Sequence, residues 1–189
     1  MAYHRRGNRR VMSLPAQYFR AGAGAVILNC KGLILVLERA DVSGAWQLPQ
    51  GGLEAFEEPH QAALREVAEE TGIVETALEL LDTYPEPLVY ELPDIARTEK
   101  TGRGQVQYWF LYRFYGSDDT IDIKSGGEFC AWKWTTFQNL LHTAIDFRKS
   151  LYRKLADRFG PYLSEVLAKG GNGIRRKKIA NPLKGVLHV

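Results

Sequence analysis

Residues 51–73 read GGLEAFEEPHQAALREVAEETGI, and the rest of the chain is organised around them. Pro59 suits the first turn of a helix, where its missing N–H costs nothing, and Ala62, Ala63 and Leu64 are good helix formers. Gly72 supplies a stop, so the stretch predicts a helix over 59–71 preceded by a glycine loop. At 3.6 residues per turn, Glu66, Glu69 and Glu70 stand at i, i+3 and i+4, with their carboxylates on one face. Arg65 precedes Glu69 by four residues and can hold that side chain.

Three like charges on one ridge repel one another, and a solvated helix face would alternate them with lysines. A hard divalent cation relieves that repulsion, because Mg²⁺ binds through a few carboxylates together with water and substrate phosphate. Glu57, in the loop before the helix, is placed to fold back and add a further carboxylate. A solvated acidic face is the simpler alternative for a helix of this composition.

The fixed pattern decides between them. Gly51, Glu57, Arg65-Glu66, Val67, Glu69-Glu70, Gly72 and Ile73 match the Nudix box at its defining offsets, a far more specific signal than a lone glycine motif. The chain thus resembles the Nudix hydrolases. That resemblance implies an α/β (α+β) fold, a mixed β-sheet sandwiched between α-helices. It also implies hydrolysis of a phosphoanhydride in a nucleoside diphosphate linked to another moiety, with Mg²⁺ or Mn²⁺ held by Gly51, Glu66, Glu69 and Glu70.

Upstream of the box, residues 23–30 (AGAVILNC) and 33–38 (LILVLE) are short apolar runs separated by Lys31-Gly32, which predicts a hairpin. Trp46 and the Pro49-Gln50-Gly51-Gly52 entry sharpen the resemblance to the branch containing bacterial RNA pyrophosphohydrolases and plant-type dinucleoside polyphosphate hydrolases. Downstream, residues 78–84 and 88–91 read as strands broken by Pro85 and Pro87. Tyr90 stands seventeen residues past Ile73, where a tyrosine accompanies dinucleoside polyphosphate activity in the family. Pro87, fourteen past it, keeps an ADP-ribose or nucleotide-sugar pyrophosphatase open as an alternative.

Residues 97–104 form a polar loop before the strongest strand, 105–115 (QVQYWFLYRFY). Gln107 is placed either to meet phosphate across a cleft or to be a satisfied edge glutamine, and Trp109 and Phe110 read as core. A strand over 129–135 follows Glu128. In the related branch a glutamate in a Glu-Phe-x-x-Trp-x-Trp setting reaches the metal cluster from opposite the box helix, so Glu128 is the candidate remote ligand or general base. Phe147, Leu151, Leu155 and Phe159 recur every four residues and mark an amphipathic helix through Arg158, with a further short helix over 161–168. Its start, Phe147-Arg148-Lys149, resembles the family's Phe-Lys-Arg element, which stacks a base and meets phosphate. Arg20 and Arg39 complete the expected grip on the phosphate chain, with Gln50, Tyr90 and Gln107 as substrate contacts; Arg65, Glu66, Glu69, Glu70 and Glu128 are the expected catalytic group.

A chain of 189 residues with 45% hydrophobic content is long enough for one core. It contains no apolar run of membrane-spanning length. The basic N-terminus lacks a following apolar stretch, which argues against a secretory signal, and Cys30 and Cys130 lie in apolar stretches where buried free thiols are expected. Together these point to a cytoplasmic protein. The net charge of +3 conceals an asymmetry: residues 1–20 hold five arginines, residues 169–189 hold six lysines and arginines, and neither segment holds an acid. The organisation expected is a basic arm over 1–17, a Nudix domain over 18–168 and a basic tail over 169–189. Polycationic ends of this kind either track an RNA backbone or act as solubilising termini. They also leave a catalytically silent, RNA-binding use of the fold as a third reading, one that sits poorly with a complete set of box glutamates.

Overall fold

A computed structural model describes residues 17–123 and 127–168. The expected basic arm, up to Ala16, and the whole basic tail lie outside the described residues. Strand β1 (Phe19–Leu28) is followed by β2 (Ile34–Arg39), and the two are antiparallel, as the two apolar runs predict. Two short strands, β3 (Trp46–Gln47) and β4 (Gln50–Gly52), lead into helix α1 (Pro59–Thr71). Strands β5 (Leu78–Thr83), β6 (Leu88–Glu91), β7 (Gly104–Phe114) and β8 (Phe129–Thr135) come next, then helices α2 (Phe137–Thr143) and α3 (Asp146–Ala168).

β1 and β7 lie side by side in parallel at the centre of the sheet, from Phe19 opposite Gly104 to Leu28 opposite Arg113. The other pairings are antiparallel, so the sheet is mixed. A parallel neighbour needs a crossover, and α1 is the helix it carries. Because both faces are covered, the central strands are nearly continuous apolar runs rather than alternating ones. Val26, Val36, Trp109 and Leu111 pack towards Leu151, Leu155 and Phe159 of α3. Their neighbours Ala25, Leu35, Phe110 and Tyr112 pack towards Ala62, Ala63 and Val67 of α1 on the other side. Each fully buried Leu, Val or Phe there contributes about 1.5–3 kcal/mol, so the two apolar layers hold the helices on opposite faces.

α1 has the expected limits. Pro59 opens it, and Gly72 closes it in the left-handed region (φ 70°) while donating its N–H to the Ala68 carbonyl at 2.9 Å. α2 has no counterpart in the sequence reading. Thr136 caps it, its hydroxyl accepting from the Asn139 N–H at 3.2 Å, and Phe137 and Leu140 anchor it. α3 corrects another expectation: it runs unbroken to Ala168 with Pro161 inside it. Proline removes one backbone bond to the preceding turn, but Phe159 and Val166, both fully buried, lie in the same apolar layer on either side of it and carry the helix through. The two cysteines also depart from expectation, since Cys30 and Cys130 are both exposed. Cys30 lies past the end of β1 at a turn, and Cys130 points outward from β8, next to the buried Phe129.

Candidate functional site

β4 pairs with β1 through Gly22, Ala23 and Gly24, which sets Gly51 against α1. The Glu66 carboxylate lies directly on the Gly51 backbone: a Cβ added there would be 2.0 Å from its Cδ. Only glycine permits that approach. One turn along, the Glu70 Oε2 accepts a hydrogen bond from the Gln50 N–H at 3.0 Å. Glu70 is buried (9% exposed). Burial pushes its carboxyl well above the usual carboxylate range, the charges of Glu66 and Glu128 push in the same direction, and the Gln50 N–H opposes them. Glu66 is raised as well, chiefly by burial and against the pull of Arg65. One half-buried and one buried carboxylate thus stand side by side, both disfavoured as anions, an arrangement that a nearby cation would relieve.

Arg65 is the keystone of the acidic loop. Its Nε and Nη2 grip the two oxygens of Glu57 at 2.8 and 2.9 Å, Nη1 donates to Glu66 at 2.9 Å and Glu69 at 3.4 Å, and Nη2 donates to the Gly52 carbonyl at 2.8 Å. Those contacts use all five donors of the guanidinium. Arg65 does hold Glu69, as the spacing predicts, but its strongest partner is Glu57. Glu57 also accepts from the Glu54 N–H at 2.9 Å, so its carboxylate is spent on Arg65 and the loop rather than folded back as a ligand.

A cleft of about 490 Å³ opens over the carboxylate pair. Its lining includes Glu66, Glu70, Gly51 and Gln50, the guanidinium of Arg39, the Glu128 carboxylate and the rings of Tyr90 and Phe147. The Arg20 guanidinium lies flat over Gly52, where a Cβ would be 1.9 Å from its Nη2. Arg39 at the end of β2 donates to Glu128 at 3.2 Å, which ties the loop before β8 to the cleft. Tyr90 and Phe147 are stacked, with ring centroids 5.8 Å apart and planes at 25°. Arg148 also lines the cleft, yet its Nη1 donates to Gln47 Oε1, and Tyr152 engages its side chain from beneath. Burial lowers its tendency to hold a proton, but the phenol oxygens of Tyr152 and Tyr90 more than offset this and raise it.

Four of the residues expected from the sequence do not line the cleft. Arg65 acts behind it. Glu69 points away, its side chain 60% exposed. Lys149 is ion-paired with Asp146 at 2.7 Å. Gln107 is fully buried and faces the α3 layer with Trp109; neither amide atom has a partner, so it is neither a cleft residue nor a satisfied edge glutamine. The polar residues of the cleft that the sequence did not announce include Asp41, Gln47, Thr101 and Gln105. Asp41 sits in an irregular loop, where no periodicity marks it.

Among the described residues no three His, Cys, Asp or Glu side chains stand close enough to hold an ion by themselves. The site fits a cation that takes two carboxylates and draws its other oxygens from the backbone, water and substrate, which is the habit of Mg²⁺ rather than of zinc. Gln50, which also lines the cleft, has a buried side-chain Oε1 without a hydrogen-bond partner.

The NUDIX domain matches residues 18–155. An RNA pyrophosphohydrolase of Sphingopyxis alaskensis is 40% identical over 148 residues, covering 76% of this chain and 94% of its own length. Nudix hydrolase 25 of Arabidopsis thaliana is 34% identical over 166 residues, covering 82% and 93%. Among solved structures, the Ap4A hydrolase of C. elegans superposes with a TM-score of 0.58 at 23% identity, over 75% of this chain and 98% of that one. The dihydroneopterin triphosphate pyrophosphohydrolase of E. coli gives 0.61 at 22%, over 75% and 99%. At those identities the two structures share the fold.

Proposed function

Because the chain belongs to the Nudix hydrolase family, we propose that it cleaves phosphoanhydride bonds in nucleoside polyphosphates, with the 5′-triphosphate end of RNA or a dinucleoside polyphosphate such as diadenosine tetraphosphate as substrate. The observation that carries this reading is the set of groups that one cleft brings together. The carboxylates of Glu66 and Glu70, the guanidinium groups of Arg20 and Arg39, and the stacked rings of Tyr90 and Phe147 all line it. Such a set suits a ligand with a flat base joined to a chain of negative phosphates. The relatives named RNA pyrophosphohydrolase support the same substrate class.

In this proposal Phe147 and Tyr90 take the base, since an aromatic face offers about 1–3 kcal/mol per stacked base. Arg20 and Arg39 meet the phosphates through charge-assisted hydrogen bonds. Glu66 and Glu70, with the Gly51 carbonyl, hold a divalent cation, Mg²⁺ or Mn²⁺, which when bound neutralises phosphate charge and makes water a stronger acid. Glu128, opposite them, receives the proton of the attacking water. Arg65 positions Glu66 without touching substrate. Arg148, held by Gln47 and Tyr152, fixes the ring of Phe147 beside it and adds positive charge to the cleft.

The basic segments 1–20 and 169–189 are proposed to contact the body of an RNA substrate, and the protein to act in the cytoplasm. Among the described residues no helix is long and apolar enough to cross a membrane. A Mg²⁺-dependent product assay on 5′-triphosphorylated RNA, diadenosine tetraphosphate and ADP-ribose tests the proposal. Release of pyrophosphate or phosphate from RNA, or of ATP and AMP from the dinucleotide, is the expected result. Turnover of ADP-ribose alone would overturn it.

A further inference from the structure

Arg39 is one of the cations that line the cleft, and three of its five N–H donors are already engaged. Nε and Nη2 grip both oxygens of Asp41 at 2.7 Å each, and Nη1 reaches Glu128 Oε1 at 3.2 Å. The two contacts are unequal. The Asp41 pair is a short, two-pronged, charge-assisted fork, and the Glu128 contact is single and long. All three residues line the same cleft.

Asp41 is fixed by its loop rather than swinging freely. Arg39 N–H donates to the Ala45 carbonyl at 3.0 Å, Ala45 N–H to the Val42 carbonyl at 3.1 Å, and Gly44 N–H to Glu38 Oε1 at 2.7 Å. Gly44 adopts φ 76°, a value glycine takes without strain, which lets the loop turn. The same end of β2 holds Glu128 through its backbone, Ala40 N–H donating to the Glu128 carbonyl at 2.9 Å. The guanidinium therefore sits between two carboxylates whose backbones are both anchored, and only the side chains compete for it.

A guanidinium prefers a bidentate carboxylate, and Glu128 is within reach to become one. We propose that Asp41 is a positioning residue that occupies the forked edge of Arg39 and so keeps the Glu128 carboxylate from being captured by it. With the fork taken, Glu128 retains one oxygen outside the Arg39 contact, and Arg39 retains two N–H donors for phosphate. Without Asp41, Arg39 turns its fork onto Glu128 and both lose their freedom together. A carboxylate in the lining of a polyphosphate cleft otherwise only repels substrate, and this gives Asp41 a use that outweighs the repulsion. The inference rests on the proposed role of Glu128 as the proton acceptor.

The test is a double-mutant cycle on the full chain, with Mg²⁺ and whichever of diadenosine tetraphosphate and 5′-triphosphorylated RNA the unaltered protein turns over faster. Asp41→Asn is nearly isosteric and lies in an exposed loop, and Asp41→Ala serves as a second variant. Each is expected to lower kcat about ten-fold while KM stays level or falls, because a negative charge has left the lining of the cleft. In a Glu128→Gln background the same substitutions should change kcat less than about two-fold, since the acceptor they protect is gone. An equal fall in both backgrounds would overturn the inference, as would a rise in KM with unchanged kcat, or no effect of either Asp41 variant. Full kcat in Glu128→Gln alone would instead refute the role given to Glu128, so the two failures are told apart.

Discussion

Replacing Arg65 tests the architecture beneath the carboxylate pair. The guanidinium makes five hydrogen bonds, four of them to carboxylate oxygens, and its own side chain is only 24% exposed. Arg65→Ala leaves Glu57 and Glu66, whose side chains are 13% and 14% exposed, without their ion-pair partner, and Glu66 keeps only the more distant charge of Arg20. Stranding a buried charge costs about 3–5 kcal/mol, and partial exposure places this case near 3. For a domain of this size that lowers Tm by about 6–12 °C. Arg65→Lys keeps the charge without the fork and is expected to fall between the two. The effect has a pH signature. Arg65 holds the Glu57 carboxyl down to about 2 from an ordinary 4.5. A depressed carboxyl contributes stability above its unfolded value and loses it as pH falls through the folded one. The Tm gap between the unaltered protein and Arg65→Ala should therefore be widest near pH 7 and narrow between pH 4.5 and 2. Differential scanning calorimetry across that range reads it directly. A gap below about 3 °C at pH 7, or one that does not change with pH, would refute the keystone role.

Further outcomes follow from single contacts. Gly51→Ala places a methyl group 2.0 Å from the Glu66 Cδ; the carboxylate must move by about 1.5 Å, and kcat should fall about a hundred-fold while the circular dichroism spectrum is retained. Phe147→Ala removes the outer face of the aromatic stack, so steady-state kinetics should show KM up about ten-fold with kcat within about three-fold. Phe56 is fully exposed and holds φ 64°, a strained value for an aromatic residue; Phe56→Gly should raise Tm by about 2 °C after the entropy of glycine is set against the relieved strain. Glu70→Gln should also raise Tm with chelator present. A carboxyl raised above its ordinary value destabilises the fold when ionised at pH 7, and the amide oxygen can still accept from Gln50 N–H.

Much of this was legible in the chain because it is carried by local signals. Pro59 and Gly72 punctuate α1, and its spacing places Glu66 and Glu70 on one ridge without knowledge of the fold. β8 has the range expected over 129–135, and Trp109 and Phe110 lie in opposite apolar layers as successive residues of a strand must. Legibility ends where partners are distant or where tertiary packing overrides a local rule. Pro161 reads as a break, yet the apolar layer on either side of it keeps α3 continuous. Gln107 reads as a polar cleft residue, but strand alternation turns it inward beside Trp109. Glu57 reads as a spare ligand until Arg65 is seen to hold both its oxygens. Asp41 gives no signal, because its meaning depends on Glu128, 87 positions further along the chain. Cys30 and Cys130 are exposed, Cys30 at the turn after β1 and Cys130 on the outward side of β8, and apolar composition around a residue tells neither where a strand ends nor which side of it a residue takes.

The central claim is that the Glu66–Glu70 pair serves metal-dependent cleavage of a phosphoanhydride. Its most direct test is the Mg²⁺ titration of polyphosphate turnover by the unaltered protein beside Glu70→Gln. A rate that requires Mg²⁺ or Mn²⁺ and falls at least about a hundred-fold in the variant, with the fold intact, is the predicted result. An unchanged rate in Glu70→Gln, or full turnover in chelator, would contradict it.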